Sequence, residues 1–518
     1  MQVWRSISRK KPEPVIERST KESPDSDLAN TKPVISMAYI VLYGIAGVVG
    51  AGIFTSPGKI IKDLAGPATL ISYVLAGLAC ALSGVCYADF AARYPAAGGS
   101  YVYVYTSLGE YAAFIAGVGN TFEYAFAGSA VARSWSNYLV SLAPFLKGAK
   151  FSSAKDSVFA PDLFAPIVCI LTSSVCLLGV KQSSKFSAAL TTINIGVILF
   201  VIAVGAFYID TSNYTPFFPS SPSGVFRGAT SAFFSYIAWD SVCVLSEEVK
   251  EPRKTIPRAI FAVLAIVGAL YCAFIFVLVG MKSAEEIDVD APFANAFPDG
   301  HYAKLIVSIL VLLCATNTTY ASAQGQPRVW LGMARDGLLP KKFEITNERT
   351  GAPTFSIIVS GGLMALVAAL FNFETIESAT TGAVLLVQAL VSVGCLLTRV
   401  KGRVRSQKGF KASILALALT TLCGAACFQQ TASDSSKTVS ISMCVLLGVS
   451  VISSLSTIIC AGGNVKQTLV PTLAILANFF FVGVQGFMAL IQMIGILAGF
   501  SLVYIFYGRR HSKLSVAE

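Results

Sequence analysis

The residue types that could do chemistry are few. Glu123 and Asp240 each stand inside an apolar run, and Gly44, Gly47, Gly50 and Gly52 punctuate the stretch "LYGIAGVVGAGIF" at 42–54. A carboxylate at mid-depth of a bilayer costs ~2.5 kcal/mol or more unless it is paired or solvated. Glycine inside a helix costs about 1 kcal/mol relative to alanine, so four in one stretch make local unwinding inexpensive. Unwound backbone is tolerated in hydrocarbon only where protein or a water-filled cavity satisfies it. Together these groups could hold a charged solute: bare amides at a helix start for a carboxylate, carbonyls for an ammonium, and an acid for a cationic side chain. Two alternatives remain open. The glycines could serve close helix packing of the small-xxx-small kind, with Ala46 and Gly50, and Glu123 could bond neighbouring helices and fix the bundle. Arg133, ten residues further on and about 15 Å away by the helical rise, cannot be the direct partner of Glu123.

These residues need a membrane scaffold around them. The chain has 518 residues, 54% hydrophobic and 13% charged, with a mean hydropathy of +0.68, far from the soluble balance of roughly a quarter charged residues. Apolar runs long enough to span recur from Val34 to Tyr507. They predict an all-α polytopic membrane protein of about fourteen helices, near 35–61, 68–90, 111–142, 162–180, 186–209, 225–248, 257–281, 302–326, 353–371, 378–400, 411–429, 438–460, 469–483 and 485–507. Residues 1–33 are polar and charged and read as a disordered cytoplasmic tail. No apolar segment or cleavage site suggests a removed signal peptide.

The formal charge of +11 sorts by loop and so speaks for topology rather than nucleic acid. Lys and Arg concentrate on the face of the amino-terminal tail, densest in "TRVKGRVRSQKGFK" at 398–411, whereas the acidic loop at 281–300 falls on the other side. That bias places both termini in the cytoplasm. All twelve cysteines lie in or at the ends of apolar helices without CxxC or Cys/His spacing, as small buried hydrophobes do. There is no Walker sequence and no zincin pattern, and the only histidines, His301 and His511, sit at helix ends; no enzyme site, metal or cofactor is expected. Asn213 in "NYT" is a candidate glycosylation site in an external loop. Helices 1 and 6 both carry helix-breaking or polar character at mid-depth, five helices apart, and interrupted helices at matched positions of inverted repeats point to a transport site.

The sequence resembles the amino acid, polyamine and organocation transporter superfamily, and within it the cationic amino acid transporters. The resemblance is carried by "GVVGAGIFTSPG" (47–58), "CYADFAARYPAAGGSYVYVYTSLGE" (86–110), "EYAFAGSAVARSW" (123–135), "FFSYIAWDSVCVLSEEVKEPRKTIPRAI" (233–260) and "QPRVWLGMARDGLLP" (326–340). It implies a five-plus-five inverted-repeat core of the LeuT type at 34–400, then a basic cytoplasmic loop with helices 11–14 at 401–507 and a cytoplasmic tail at 508–518. It also implies a substrate site at Val48, Gly50, Ala51, Gly52, Asn120, Glu123, Phe234, Ser235 and Ile237, with Phe234 as an aromatic gate. Asp240 is expected to brace the unwound part of helix 6.

Two positions depart from the family's pattern. Ala238 stands where glycine is common, and Asn194 stands where proton-coupled relatives often have lysine. The missing amine points to facilitated, electrogenic transport. Glu248 with Arg335 could close an inner gate, or be solvated loop surface. No cysteine marks a disulfide link to a heavy chain, so none is expected. The resulting expectation is a carrier of arginine, lysine or ornithine in the lipid bilayer, at the plasma membrane ahead of a vacuolar or lysosomal one. A neutral amino acid or polyamine carrier, or an amino acid sensor with little flux, are the alternatives.

Overall fold

The computed structural model describes residues 9–11, 36–94, 98–143, 145–146, 158–177, 180–218, 223–244, 249, 251–298, 302–347, 350–400, 404, 407–431, 437–461 and 465–516. Glu248, most of the tail at 1–33 and the side chain of Ala51 fall outside them.

Apolar composition along most of the described chain gives helices almost throughout. Helix 1 comprises Met37–Val48 and Ala51–Lys59. Helix 2 is Thr69–Arg93, and a short helix, Gly99–Ser107, leads into helix 3. Helix 3 runs as Glu110–Thr121, a π-helical turn at Phe122–Phe126, and Ala127–Leu142. Helices 4 and 5 are Phe164–Cys176 and Val180–Gly205. Helix 6 is Ser223–Phe234 and Ser241–Val244. Helices 7 to 10 are Pro252–Met281, Tyr302–Arg335, Thr354–Leu370 and Phe373–Val400. Helices 11 to 14 are Gln407–Thr431, Lys437–Cys460, Val465–Val484 and Phe487–Val503. Seven stretches among the described residues are long and apolar enough to cross a membrane by length and composition, among them helices 7, 8 and 10. Leu78, Leu171, Leu366, Ile459 and Ile494 stand exposed, as a lipid-facing surface requires.

For the first four helices, each packs on the helix five places later: 1 on 6, 2 on 7, 3 on 8 and 4 on 9. Helices 11 to 13 gather against one another, and helix 13 lies along helices 2 and 10. Asp89 of helix 2 fixes part of this arrangement, pairing with Arg93 at 2.9 Å and with Arg399 of helix 10 at 3.0 Å. Arg399 also donates to the Gln467 carbonyl of helix 13 at 3.1 Å.

Both described chain ends meet on one face. The Glu110 amide donates to the Arg9 carbonyl at 2.8 Å, and Lys513 N–H donates to the Asp336 carbonyl at 3.1 Å. Glu110 accepts from Tyr504 and Ser512, and Lys11 pairs with Asp336 at 2.8 Å. The eleven cysteines described are free.

Candidate binding site between two broken helices

Helix 1 stops where the sequence makes stopping inexpensive. Val49 (φ −73°, ψ 90°) and Gly50 (φ −136°, ψ −163°) are extended, and a new helix begins at Ala51. A Cβ on Gly50 would lie 2.5 Å from Thr318 Cγ2 of helix 8, so only glycine allows that approach. No side chain caps the second half of helix 1 and its first turn holds no acid. Its leading N–H groups are therefore offered to whatever lies in front of them. Gly52 sits against helix 6: a Cβ there would come within 2.9 Å of Ser235 Cα and 3.3 Å of Phe234 Cδ1. Gly44 instead meets Val242 and Val263, and Gly47 meets Ala238 and Ser241. The packing reading and the unwinding reading are thus both realised, at different glycines of one stretch.

Helix 6 breaks over residues 235–240 as a chain of tight turns, and Ala238 within it has φ 71°. This left-handed conformation explains why glycine suits the position, since a Cβ there costs about 1–2 kcal/mol. The Ala238 amide donates to Glu123 Oε1 at 3.3 Å. Glu123 lies inside the π-helical turn of helix 3, a distortion that recurs at functional sites. The Asp240 carboxyl adjoins that of Glu123, and its Oδ1 has no hydrogen-bond partner. Both acids are buried, at 5% and 7% exposure. Among the described residues no Lys or Arg lies within ion-pair distance of either. Arg133 pairs with Asp162 at 3.1 Å instead, as its distance along the helix requires.

Two tyrosines that the sequence did not single out, and Asn194 which it did, hold the breaks. Tyr271 of helix 7, fully buried, directs its hydroxyl at the Val48 carbonyl (3.0 Å) and the Ser235 carbonyl (2.9 Å). Tyr73 of helix 2 bonds Ser235 Oγ at 3.1 Å. Asn194 of helix 5 donates to the Val49 carbonyl at 3.4 Å, so this position braces the helix 1 break with a neutral amide. The only trace of Tyr271 and Tyr73 in the sequence is a tyrosine inside an apolar run, which core packing equally explains.

The expected site residues are therefore brought together with some reassignment. Val48, Gly50, Gly52, Phe234, Ser235, Ala238, Asp240 and Glu123 converge on the two breaks. The Val48 carbonyl, expected to be free for an ammonium, is already an acceptor for Tyr271. The Phe234 carbonyl accepts from Ile237 N–H at 3.2 Å within the turn. Asn120 Oδ1 accepts from Ser100 Oγ at 2.9 Å. Arg335 ends helix 8, and Asp336 beside it holds Lys11. The Asn213 side-chain nitrogen, which a glycan would occupy, donates to the Gly280 carbonyl at 2.8 Å. Phe234 meets Phe373 of helix 10 edge to face, with ring centroids 5.9 Å apart.

A sequence model of amino acid permeases matches residues 34–452, which takes in both broken helices and most of the helices packed on them. The chain belongs to the amino acid permease family. This permease is thus a multi-pass membrane transporter rather than an enzyme, of the amino acid, polyamine and organocation superfamily, whose fold is the LeuT fold. The permease is 36% identical to a methylthioribose transporter of Bacillus subtilis over 76% of its own length and 86% of the relative's. It is 32% identical to cationic amino acid transporter 1 of Arabidopsis thaliana, over 75% of this chain and 68% of the relative. With cationic amino acid transporter 4 of Mus musculus it shares 33% identity over 70% of this chain and 59% of the relative. The family is settled at this level, whereas the relatives' substrates differ.

Proposed function

We propose that this permease moves cationic amino acids such as arginine, lysine and ornithine by alternating access, as facilitated transport driven by membrane potential. The observation that carries the reading is the pair Glu123 and Asp240, two adjoining buried carboxyls with no basic partner among the described residues. Side by side they repel when ionised, and a guanidinium or ammonium brought by the solute relieves that repulsion. The uncapped start at Ala51 and Gly52 complements them with donors for the α-carboxylate. Phe234, beside Gly52 and edge to face with Phe373, serves as the aromatic gate, and the unwound segments let each half of helices 1 and 6 tilt without melting a continuous helix.

Asn194 supports the uniport reading, because an amide on the helix 1 break carries no proton through a cycle. The potential alone contributes about 2.3 kcal/mol per charge per 100 mV, or roughly fifty-fold accumulation. On this reading the core at 34–400 is the five-plus-five repeat, helices 11–14 brace it from helix 10 outward, both termini face the cytoplasm, and the membrane is the plasma membrane.

A second reading is favoured by the match to the methylthioribose transporter, which covers 86% of that relative. A neutral thioether sugar would use the carboxyls as acceptors for hydroxyls and would ignore the potential. Uptake into proteoliposomes of labelled arginine, leucine, putrescine and methylthioribose, with and without a potassium diffusion potential, separates the readings. Arginine uptake that rises with an inside-negative potential is expected. Methylthioribose preferred over arginine, or arginine flux indifferent to potential, overturns the proposal.

A further inference from the structure

The two ends of the described chain meet on a pair of acids for which the transport reading has no use. Glu110, at the start of helix 3, is fully buried. Its amide holds the Arg9 carbonyl at 2.8 Å, while its carboxylate accepts from the hydroxyls of Tyr105 at 3.2 Å, Tyr504 at 2.9 Å and Ser512 at 2.6 Å. Asp336, just past helix 8, does the same with other atoms. Its carboxylate takes Lys11 at 2.8 Å and the Tyr101 hydroxyl at 2.9 Å, and its carbonyl takes the Lys513 amide at 3.1 Å. Each acid thus grips both ends at once. The segment around Ser512 lies close on the loop after helix 8, where a Cβ on Gly337 would run into the His511 carbonyl. Ser512 itself has no exposed surface.

The sequence around it is "GRRHSK" at 508–513, with Arg509 and Arg510 three and two residues before the serine. That charge pattern complements the acid-lined substrate groove of a basophilic serine/threonine kinase. We propose that Ser512 is a phosphorylation site and that its modification opens the latch. In the transfer, Ser512 Oγ attacks the γ-phosphorus of ATP. The new O–P bond forms as the bond to the bridging β,γ-oxygen breaks, ADP leaves, and the hydroxyl proton passes to the catalytic base of the kinase. Glu110 then loses a donor, and about two negative charges stand where the hydroxyl lay. Like-charge repulsion and the cost of desolvation exclude such a group from a buried position against a carboxylate. The kinase reaches Ser512 when this end swings out, and the ester traps the open form. Because Glu110 and Asp336 also hold Arg9 and Lys11, freeing one end loosens the other, and with it the tail that leads into helix 1.

The inference rests on the cytoplasmic placement of the termini proposed above, because protein kinases and ATP act there. Nanodiscs expose both faces, so the experiment tests Ser512 apart from that placement. The full chain in nanodiscs is treated with the catalytic subunit of a cyclic-nucleotide-dependent kinase and MgATP, phosphate is located by mass spectrometry, and amide hydrogen exchange is followed. Phosphate is expected on Ser512. In Arg510→Ala, which removes an exposed side chain, the reaction should slow by about tenfold or more, the loss of one charge-assisted contact to the kinase. Phosphorylation should speed exchange of two amides, that of Lys513, bonded to Asp336, and that of Glu110, bonded to Arg9, while amides inside helix 10 stay protected as proof of folding. Kinase treatment of Ser512→Ala should leave both amides as they were. Ser512 left unmodified while a free peptide of residues 507–516 is phosphorylated, or Ser512 phosphorylated with exchange at either amide unchanged, overturns the proposal.

Discussion

Glu123 carries two separable tasks, and two substitutions at that one position tell them apart. Its Oε1 accepts from the Ala238 amide at 3.3 Å, and its charge is proposed to meet the cationic side chain of the solute. Glu123→Gln keeps an acceptor oxygen for the amide and removes the charge. A hydrogen bond to a charged group contributes about 1.5–3 kcal/mol. At about 1.4 kcal/mol per tenfold, the arginine Kd should rise roughly 10- to 150-fold. Citrulline, the neutral isostere of arginine, should lose about twofold or less, because its urea group never drew on the charge.

Glu123→Ala also orphans the part-buried N–H of Ala238, at a cost of up to ~1–3 kcal/mol, on a residue held at φ 71°. Both ligands should then weaken together, and the melting temperature should fall. The assay is competition of labelled arginine in nanodiscs, with thermal stability recorded on the same samples. Equal losses of arginine and citrulline in Glu123→Gln would refute the charge-recognition argument and leave Glu123 as a brace for helix 6 alone.

Three further outcomes follow from backbone geometry. Gly52→Ala drives a Cβ to within 2.9 Å of the Ser235 backbone, so it should cost binding more than folding. Gly44→Ala meets the Val242 and Val263 side-chain methyls at 2.6 Å, a packing clash of about 1–3 kcal/mol, and should lower the melting temperature while a surviving folded fraction still binds; equal binding losses per folded molecule would contradict this division. Ala238→Gly removes a left-handed alanine worth about 1–2 kcal/mol of strain and should leave stability unchanged or raised, checked by thermal unfolding; a marked loss would show that the Ala238 methyl, near Gly47, is needed for packing.

The sequence by itself determined the class of molecule and the place where its helices break. Hydropathy is local, so runs of apolar residues announced the helices, and four glycines in thirteen residues left an interruption and close packing both open; the interruption falls at Val49 and Gly50. Ala51 was named from the resemblance of "GVVGAGIFTSPG" to the family's first helix, while glycine density, a local property, says only that unwinding nearby is inexpensive. Glu123 and Asp240 were visible as misplaced charges.

Only the tertiary structure decided who partners whom. Nothing in "EYAFAG" says that Glu123 receives the amide of Ala238, 115 residues away, or that the chain around it winds as a π turn. Tyr271, which holds both breaks through one hydroxyl, looks in sequence like any buried aromatic. Gly44 and Gly52 are the same residue type eight positions apart, yet one faces side-chain methyls and the other faces backbone. Their roles differ because contact across helices depends on where the neighbouring helix lies, which no local pattern encodes. The cavity lined by Arg227, Glu377 and Thr381 has the same origin: these residues share a space only when helices 6 and 10 pack beside helix 1.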